Sequence, residues 1–272
     1  MTAFAPLRRM NLGGQFHAFG LHAPELTSPF LGIDHAWMSG PTFPPHPHAG
    51  FSAVSYLFLD SETWVNNRDS LGGRQKILPG GLHWTAAGRG VVHEEHPAEP
   101  GKTVHMLQIF VNLPQAKQGD APFALALAPH DVPVATLPGA KVRVPLGEFA
   151  GQRSPLQPPT EVRLLDISLD DGAVLDVPVP AGHTAFVLPI FGRVVADGEA
   201  LDSDGSPVPV AEVTDQPRVV QIRAPQGPAK VALFSGAPLD QPVFWQGPMA
   251  MASAQALDQA MSAYQRGEFG QI

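Results

Sequence analysis

Two short stretches hold residue types that bind metals or move protons. The first is "PPHPHAGF", residues 44–51, with His46 and His48 two positions apart. In an extended chain, residues i and i+2 face one side. Pro45 and Pro47 keep this segment out of a helix and favour extended geometry, so both imidazoles reach one point. The second is "GRGVVHEEHP", residues 88–97, where His93, Glu94, Glu95 and His96 fall in succession. Gly88, Gly90 and Pro97 oppose a helix there. On a strand, His93 and Glu95 share one face, and Glu94 and His96 share the other. Val91 and Val92 lie on opposite faces and do not choose between the pairs. Imidazoles with a carboxylate suit a divalent iron, nickel, manganese, cobalt, copper or zinc ion better than calcium or magnesium, which prefer oxygen.

These clusters need strands to bring them together. "FSAVSYLFL" (51–59) is apolar, aromatic and β-branched, and "TVHMLQIFVNLP" (103–114) is a strand that ends at proline. Residues 75–97 read as short strands broken by Pro79-Gly80-Gly81 and by Gly88 and Gly90. After a proline-punctuated stretch to Pro138 the pattern begins again, through "AKVRVPLGEFAG" (140–151), residues 161–201 and residues 218–236. Repeated short strands with turn residues between them predict an all-β chain of two barrels in tandem. We expect domains at 1–135 and 136–272. One segment is helical by spacing: in "ASAQALDQAMSAYQRG" (252–267), Leu257, Ala260, Met261 and Tyr264 recur at i, i+3, i+4 and i+7. Ser253 caps its start and Gly267 ends it, as a C-terminal helix docking on a barrel.

Composition narrows the function. The chain has no cysteine, which excludes disulfides, thiolate ligands and a cysteine nucleophile. A net charge of −8 disfavours direct nucleic-acid or anionic-membrane binding. No apolar run of spanning length occurs, and the first residues lack a signal-peptide core, so a cytoplasmic location is expected. "GGRQKILPGG" lacks the ending of a phosphate loop, and "HEEH" does not have the H-E-x-x-H spacing of a zinc protease. Downstream of His105 the only histidines are His130 and His183, far apart, so one metal per chain is expected, in the N-terminal domain.

The motifs "HPHAGFSAVSYLF", "RDSLGG", "PGGLHWTAAGRGVVHEEHP" and "HMLQIFVNLP" resemble the pirin family of bicupins. So do "VRVPLGEFAG", "LLDISLDDGAVLDVPVPAGHTAFV", "VALFSGAPLDQPVFWQGP" and "AYQRGEFG" in the second half. The resemblance implies metal ligands at His46, His48, His93 and Glu95, which chooses between the two faces of the 93–96 stretch. It implies one divalent transition metal, iron(II) first among the candidates. It also implies a dioxygenase that cleaves flavonols such as quercetin, with dioxygen as co-substrate and Glu95 as the catalytic base. Phe43, Phe51, Trp84 and Met106 are candidate pocket walls. The alternative it carries is a metal- or redox-sensing regulatory protein that binds a protein partner. Nothing in the sequence demands more than a monomer. Three departures from the family pattern stand out: Asn67 where a histidine is usual, His83 where glutamine is frequent, and "LDSET" without the expected turn glycine. His105 is a candidate for an outer hydrogen-bonding contact to the site.

Overall fold

Alternation of buried side chains along short strands gives the chain its architecture. A computed structural model describes residues 3–203 and 205–272. The first half folds into two antiparallel sheets. A seven-stranded sheet runs in the order Phe123–Leu127, Leu82–Ala86, Phe51–Leu57, Val104–Asn112, Phe30–Met38, Phe16–Leu21 and Leu7–Leu12. A four-stranded sheet runs His46–His48, Val91–Pro97, Val65–Asp69 and Arg74–Ile77. The second half repeats this plan with a second seven-stranded and a second four-stranded sheet. The expected all-β arrangement of two cupin-type barrels is what the chain forms.

The long strands bury both faces. In Phe51–Leu57, Val54 and Tyr56 point to one side, with Trp84, Leu107 and Ile109 from neighbouring strands. They meet Leu164, Phe186, Leu188, Ala232 and Phe234 of the second large sheet. The two seven-stranded sheets therefore pack face to face in a shared core. Trp84, a candidate pocket wall on sequence grounds, sits fully buried here instead. Strand alternation places it on the face opposite His83 and Thr85. Met106 packs with Leu57, Val65 and Ile77 in the interior of the first barrel.

The chain ends exchange halves. Ala3–Ala5 adds to the second large sheet by pairing with Val208–Ala211. Conversely, the hairpin Phe244–Gln246/Met249–Met251 and the helix Ala254–Gln265 return to the first barrel, where Met249, Met251, Leu257, Ala260 and Phe269 pack with Ala49 and Val92. Ser253 caps the helix by accepting from the Ala256 amide at 3.1 Å, and Gly267 follows its end at φ +76°. Leu257 and Ala260 are buried as the spacing predicts, and Met261 packs beside them. Tyr264 is 40% exposed and touches only the edge of that cluster, through Phe269.

Two glycines permit this return. Gly50 has φ +83°, and a Cβ there would lie 1.8 Å from the Ala250 carbonyl oxygen. Gly90 has φ +143°, and a Cβ would enter the Phe269 ring. Both positions need the left-handed half of backbone space and leave no room for a side chain. Gly50→Ala is accordingly expected to cost about 3 kcal/mol or more, from combined strain and overpacking. It should also release the C-terminal hairpin. Denaturant unfolding together with limited proteolysis near residue 245 checks this.

Candidate metal centre

The His46–His48 strand pairs with Val91–Pro97 so that His46 lies opposite His93 and His48 opposite Val91. This register puts three imidazoles on one inner wall. His46, His48 and His93 each offer a ligand nitrogen, all within 4.8 Å of one another. The rings stand edge to face, with centroids 4.7–4.8 Å apart.

Burial keeps these rings neutral. It drives His48 down to about 3 and His93 well below its usual value, and it lowers His46 as well. Two tautomers are fixed by backbone carbonyls. The Nδ1–H of His46 donates to Pro44 O at 2.9 Å, and that of His48 donates to Pro248 O at 3.1 Å. Each leaves Nε2 with a free lone pair, the form that ligates metals. Neutral nitrogen ligands converging in a buried pocket, with no positive side chain among them, form a receptor for a cation. The residues present fit a divalent transition metal. The Pro248 contact is one that sequence reasoning missed. It comes from 200 positions along the chain and has no local motif.

The alternation of the 93–96 stretch is resolved by burial. His93 and Glu95 are 3% and 8% exposed, whereas Glu94 and His96 are half-buried on the other face. Glu94 pairs with Arg68 there, and His96 lies 3.4 Å from Asn66 O. Glu95 shares the inward face with His93, but its carboxylate is outside the converging three. Ser55 Oγ donates to Glu95 Oε2 at 2.6 Å and also lies 3.1 Å from Gln108 Oε1. Ser55 has one proton and serves one acceptor at a time. Burial pushes the Glu95 carboxyl up to about 7, against the opposing Ser55 hydrogen bond.

The other singled-out residues divide by face. Ser55 pairs with both His83 and Gln108 across the sheet, so all three line the barrel interior. Burial lowers His83 to about 4, and its Nε2 is 3.2 Å from Thr85 Oγ1. Asn67 lies opposite Glu95 and donates to Gln75 at 2.9 Å. His105 is elsewhere. Its Nε2 is 2.7 Å from His35 Nε2, its Nδ1 bonds Asp60, and it stacks on Trp37. That cluster is on the opposite face of the sheet, so His105 does not contact the three-histidine group.

Aromatic rings wall the centre. Phe51 and Phe110 approach His48 at centroid distances of 5.1 and 6.0 Å. Trp245 of the returning hairpin stacks on Phe51 at 5.7 Å, and Phe43 lies 6.4 Å from His46. Of the expected wall residues, Phe43 and Phe51 are at the site, and Phe110 and Trp245 complete it. One bound metal per chain is expected from this geometry. His48→Ala and His93→Ala should each abolish it, while Glu94→Gln and His96→Ala retain it. Metal analysis of the purified variants reads the outcome.

Comparison with known proteins agrees with this fold. Residues 12–111 match the Pirin family, and residues 164–270 match the Pirin C-terminal cupin domain. Human Pirin is 32% identical over 251 residues, covering 91% of this chain and 85% of its own. A Pseudomonas aeruginosa protein named "putative quercetin 2,3-dioxygenase" is 31% identical over 262 residues, 89% of this chain and 86% of its own. The crystal structure of a quercetin 2,3-dioxygenase from Acinetobacter baumannii superposes with a TM-score of 0.85 at 27% identity, covering 100% of this chain and 99% of that one. A bacterial pirin from Escherichia coli, solved in complex with nickel(II), shares the fold at a TM-score of 0.67 and 18% identity, over 88% of this chain and all of that one.

Proposed function

The chain belongs to the pirin family, and within it we propose that this protein is a metal-dependent dioxygenase cleaving flavonols such as quercetin. Three neutral imidazoles converging beside a buried carboxylate, under an aromatic wall, are the observation that carries the proposal. We assign His46, His48, His93 and Glu95 as the metal's ligands and iron(II) as the metal. Bound there, it would supply the Lewis-acid and one-electron chemistry that lets a flavonol react with dioxygen.

The chain's own residues have separable tasks. Trp245, exposed and stacked on the buried Phe51, offers flat apolar surface to a planar polycyclic substrate, and Phe51 and Phe110 keep water from the ground beneath it. Glu95 accepts the proton of the flavonol 3-hydroxyl, because it shares the inward face with His93 and burial pushes its carboxyl up to about 7. Ser55 orients that carboxylate through its 2.6 Å hydrogen bond. Dioxygen then adds across the heterocycle, which opens and releases carbon monoxide.

The other reading is a metal-responsive protein that docks a partner. It draws on Val243, Phe244 and Trp245, consecutive apolar residues each 37–42% exposed beside the centre.

Purified protein loaded with iron(II) should consume a flavonol, seen as loss of its absorbance, with matching oxygen uptake. Glu95→Gln is expected to lower kcat by about 100-fold or more while the three histidines still bind metal. Metal binding without turnover, for every divalent ion tried, would leave the partner-docking reading in place of the enzyme.

A further inference from the structure

The inward face of the first large sheet carries a second polar pair that the metal chemistry does not use. Ser55, Gln108, Asp34 and Gly20 are successive cross-strand neighbours, so all four face into the first barrel. Two residues along from Gln108, Phe110 stands opposite Gly32 on the same face. His22, just past the end of Phe16–Leu21, lays its ring over both glycines. A Cβ on Gly20 would lie 2.8 Å from Asp34 Oδ1 and 3.0 Å from the His22 ring, and one on Gly32 would lie 2.8 Å from His22 Nδ1. Neither glycine has a positive φ, so the backbone itself does not call for glycine at either position. What the two glycines provide is the space the imidazole occupies.

That slot fixes the imidazole without closing it off. The Nε2–H donates to Asp34 Oδ1 at 2.8 Å, and the His22 side chain keeps 40% of its surface accessible. With Nε2 engaged, the atom left for a ligand is Nδ1, which has no hydrogen-bond partner among the described residues. Nδ1 is the ring atom nearest to where a Gly32 side chain would stand, and the missing side chain leaves an opening there beside Phe110. The Asp34 hydrogen bond raises His22 above its usual value, against burial and the charge of Arg8, which stands opposite Gly20. In Val104–Asn112 only Gln108 and Phe110 are half-buried, and the rest of the strand is buried. Phe110 in turn meets the His48 ring at 6.0 Å and the Trp245 ring at 6.4 Å. His22 therefore borders the aromatic wall of the metal centre, one strand over from Phe110.

We propose that His22 binds a phenolic hydroxyl of the substrate at Nδ1, in the opening over Gly32, with Asp34 as the positioning residue that fixes the ring. In the neutral imidazole the Nε2–H faces Asp34, so the Nδ1 lone pair accepts the hydroxyl proton in a hydrogen bond. The first barrel then selects planar aromatic molecules that carry a hydroxyl on the ring remote from the metal. The aromatic substrate proposed above is the premise, and His22 adds which end of that molecule the protein reads. Because His22 is partly exposed, the preference is about tenfold rather than the far larger factors of fully buried sites.

Quercetin and 3-hydroxyflavone, which lacks the outer hydroxyls, form the test pair. Their binding to the iron(II)-loaded protein is measured by absorbance titration under argon, and their turnover is then followed in air. The wild-type protein should bind quercetin about tenfold more tightly, and His22→Phe, which keeps a ring but no acceptor, should bring the two within about twofold. Gly32→Ala, which fills the opening against Nδ1, should do the same. His96→Ala, on the outer face, should keep the wild-type ratio. Equal affinities in the wild type, or a preference that survives in both His22→Phe and Gly32→Ala, would overturn the proposal. If 3-hydroxyflavone binds and turns over as readily as quercetin, flavonol cleavage stands and the role of His22 falls. A His22-dependent preference in binding with no turnover in air gives the reverse. Binding of neither flavonol removes both.

Discussion

The face-to-face packing of the two large sheets governs the rest of the molecule. Every long strand in that contact commits one face to the shared core, so its other face must point into its own barrel. In Phe51–Leu57 this sends Val54 and Tyr56 toward the second half and Ser55 toward the metal centre. A one-residue slip would exchange the two sets. The contact also has a polar edge that fixes its register. Tyr56 Oη donates to Asp166 at 2.7 Å, Lys230 pairs with the same carboxylate at 2.5 Å, and Arg143 reaches Tyr56 Oη and Gly80 O. Asp166 is 1% exposed, so this network ties a buried charge to partners from both halves.

The exchange of chain ends makes the halves interdependent at the site itself. The first barrel supplies all three converging histidines, yet the tautomer of His48 is set by the Pro248 carbonyl. The aromatic wall likewise closes only with Trp245. Both come from the segment that crosses back over Gly50 and Gly90. Loss of that crossing would leave the three histidines in sequence but remove what orients one of them.

The two barrels show how one architecture is put to different uses. The first gives part of its interior to buried polar groups, a costly choice that is sustained only when those groups find partners or an ion. The second fills the equivalent volume with aliphatic side chains and keeps its polar residues for the rim. Its interior is an aliphatic cluster, while the first barrel holds the three converging histidines.

Much of the architecture was legible in the order of the residues. Short apolar runs separated by glycine and proline indicated tandem β-barrels, the i, i+3, i+4 spacing indicated the C-terminal helix, and H-x-H indicated two imidazoles on one side. Period-two alternation also divided His93, Glu94, Glu95 and His96 into pairs, but the flanking valines could not say which pair faces inward. That choice required family resemblance, and the tertiary structure displays its cause: Val91–Pro97 turns His93 and Glu95 toward the opposing sheet, while Glu94 meets Arg68 outside. Trp84 went to the shared core and His105 to an imidazole cluster with His35, because local pattern does not reveal which face of a doubly buried strand meets which partner. Pro248, Trp245 and Ser55 were illegible for a related reason. Each acts through a contact made across the sheets or between the halves, and such contacts exist only once the chain has closed on itself.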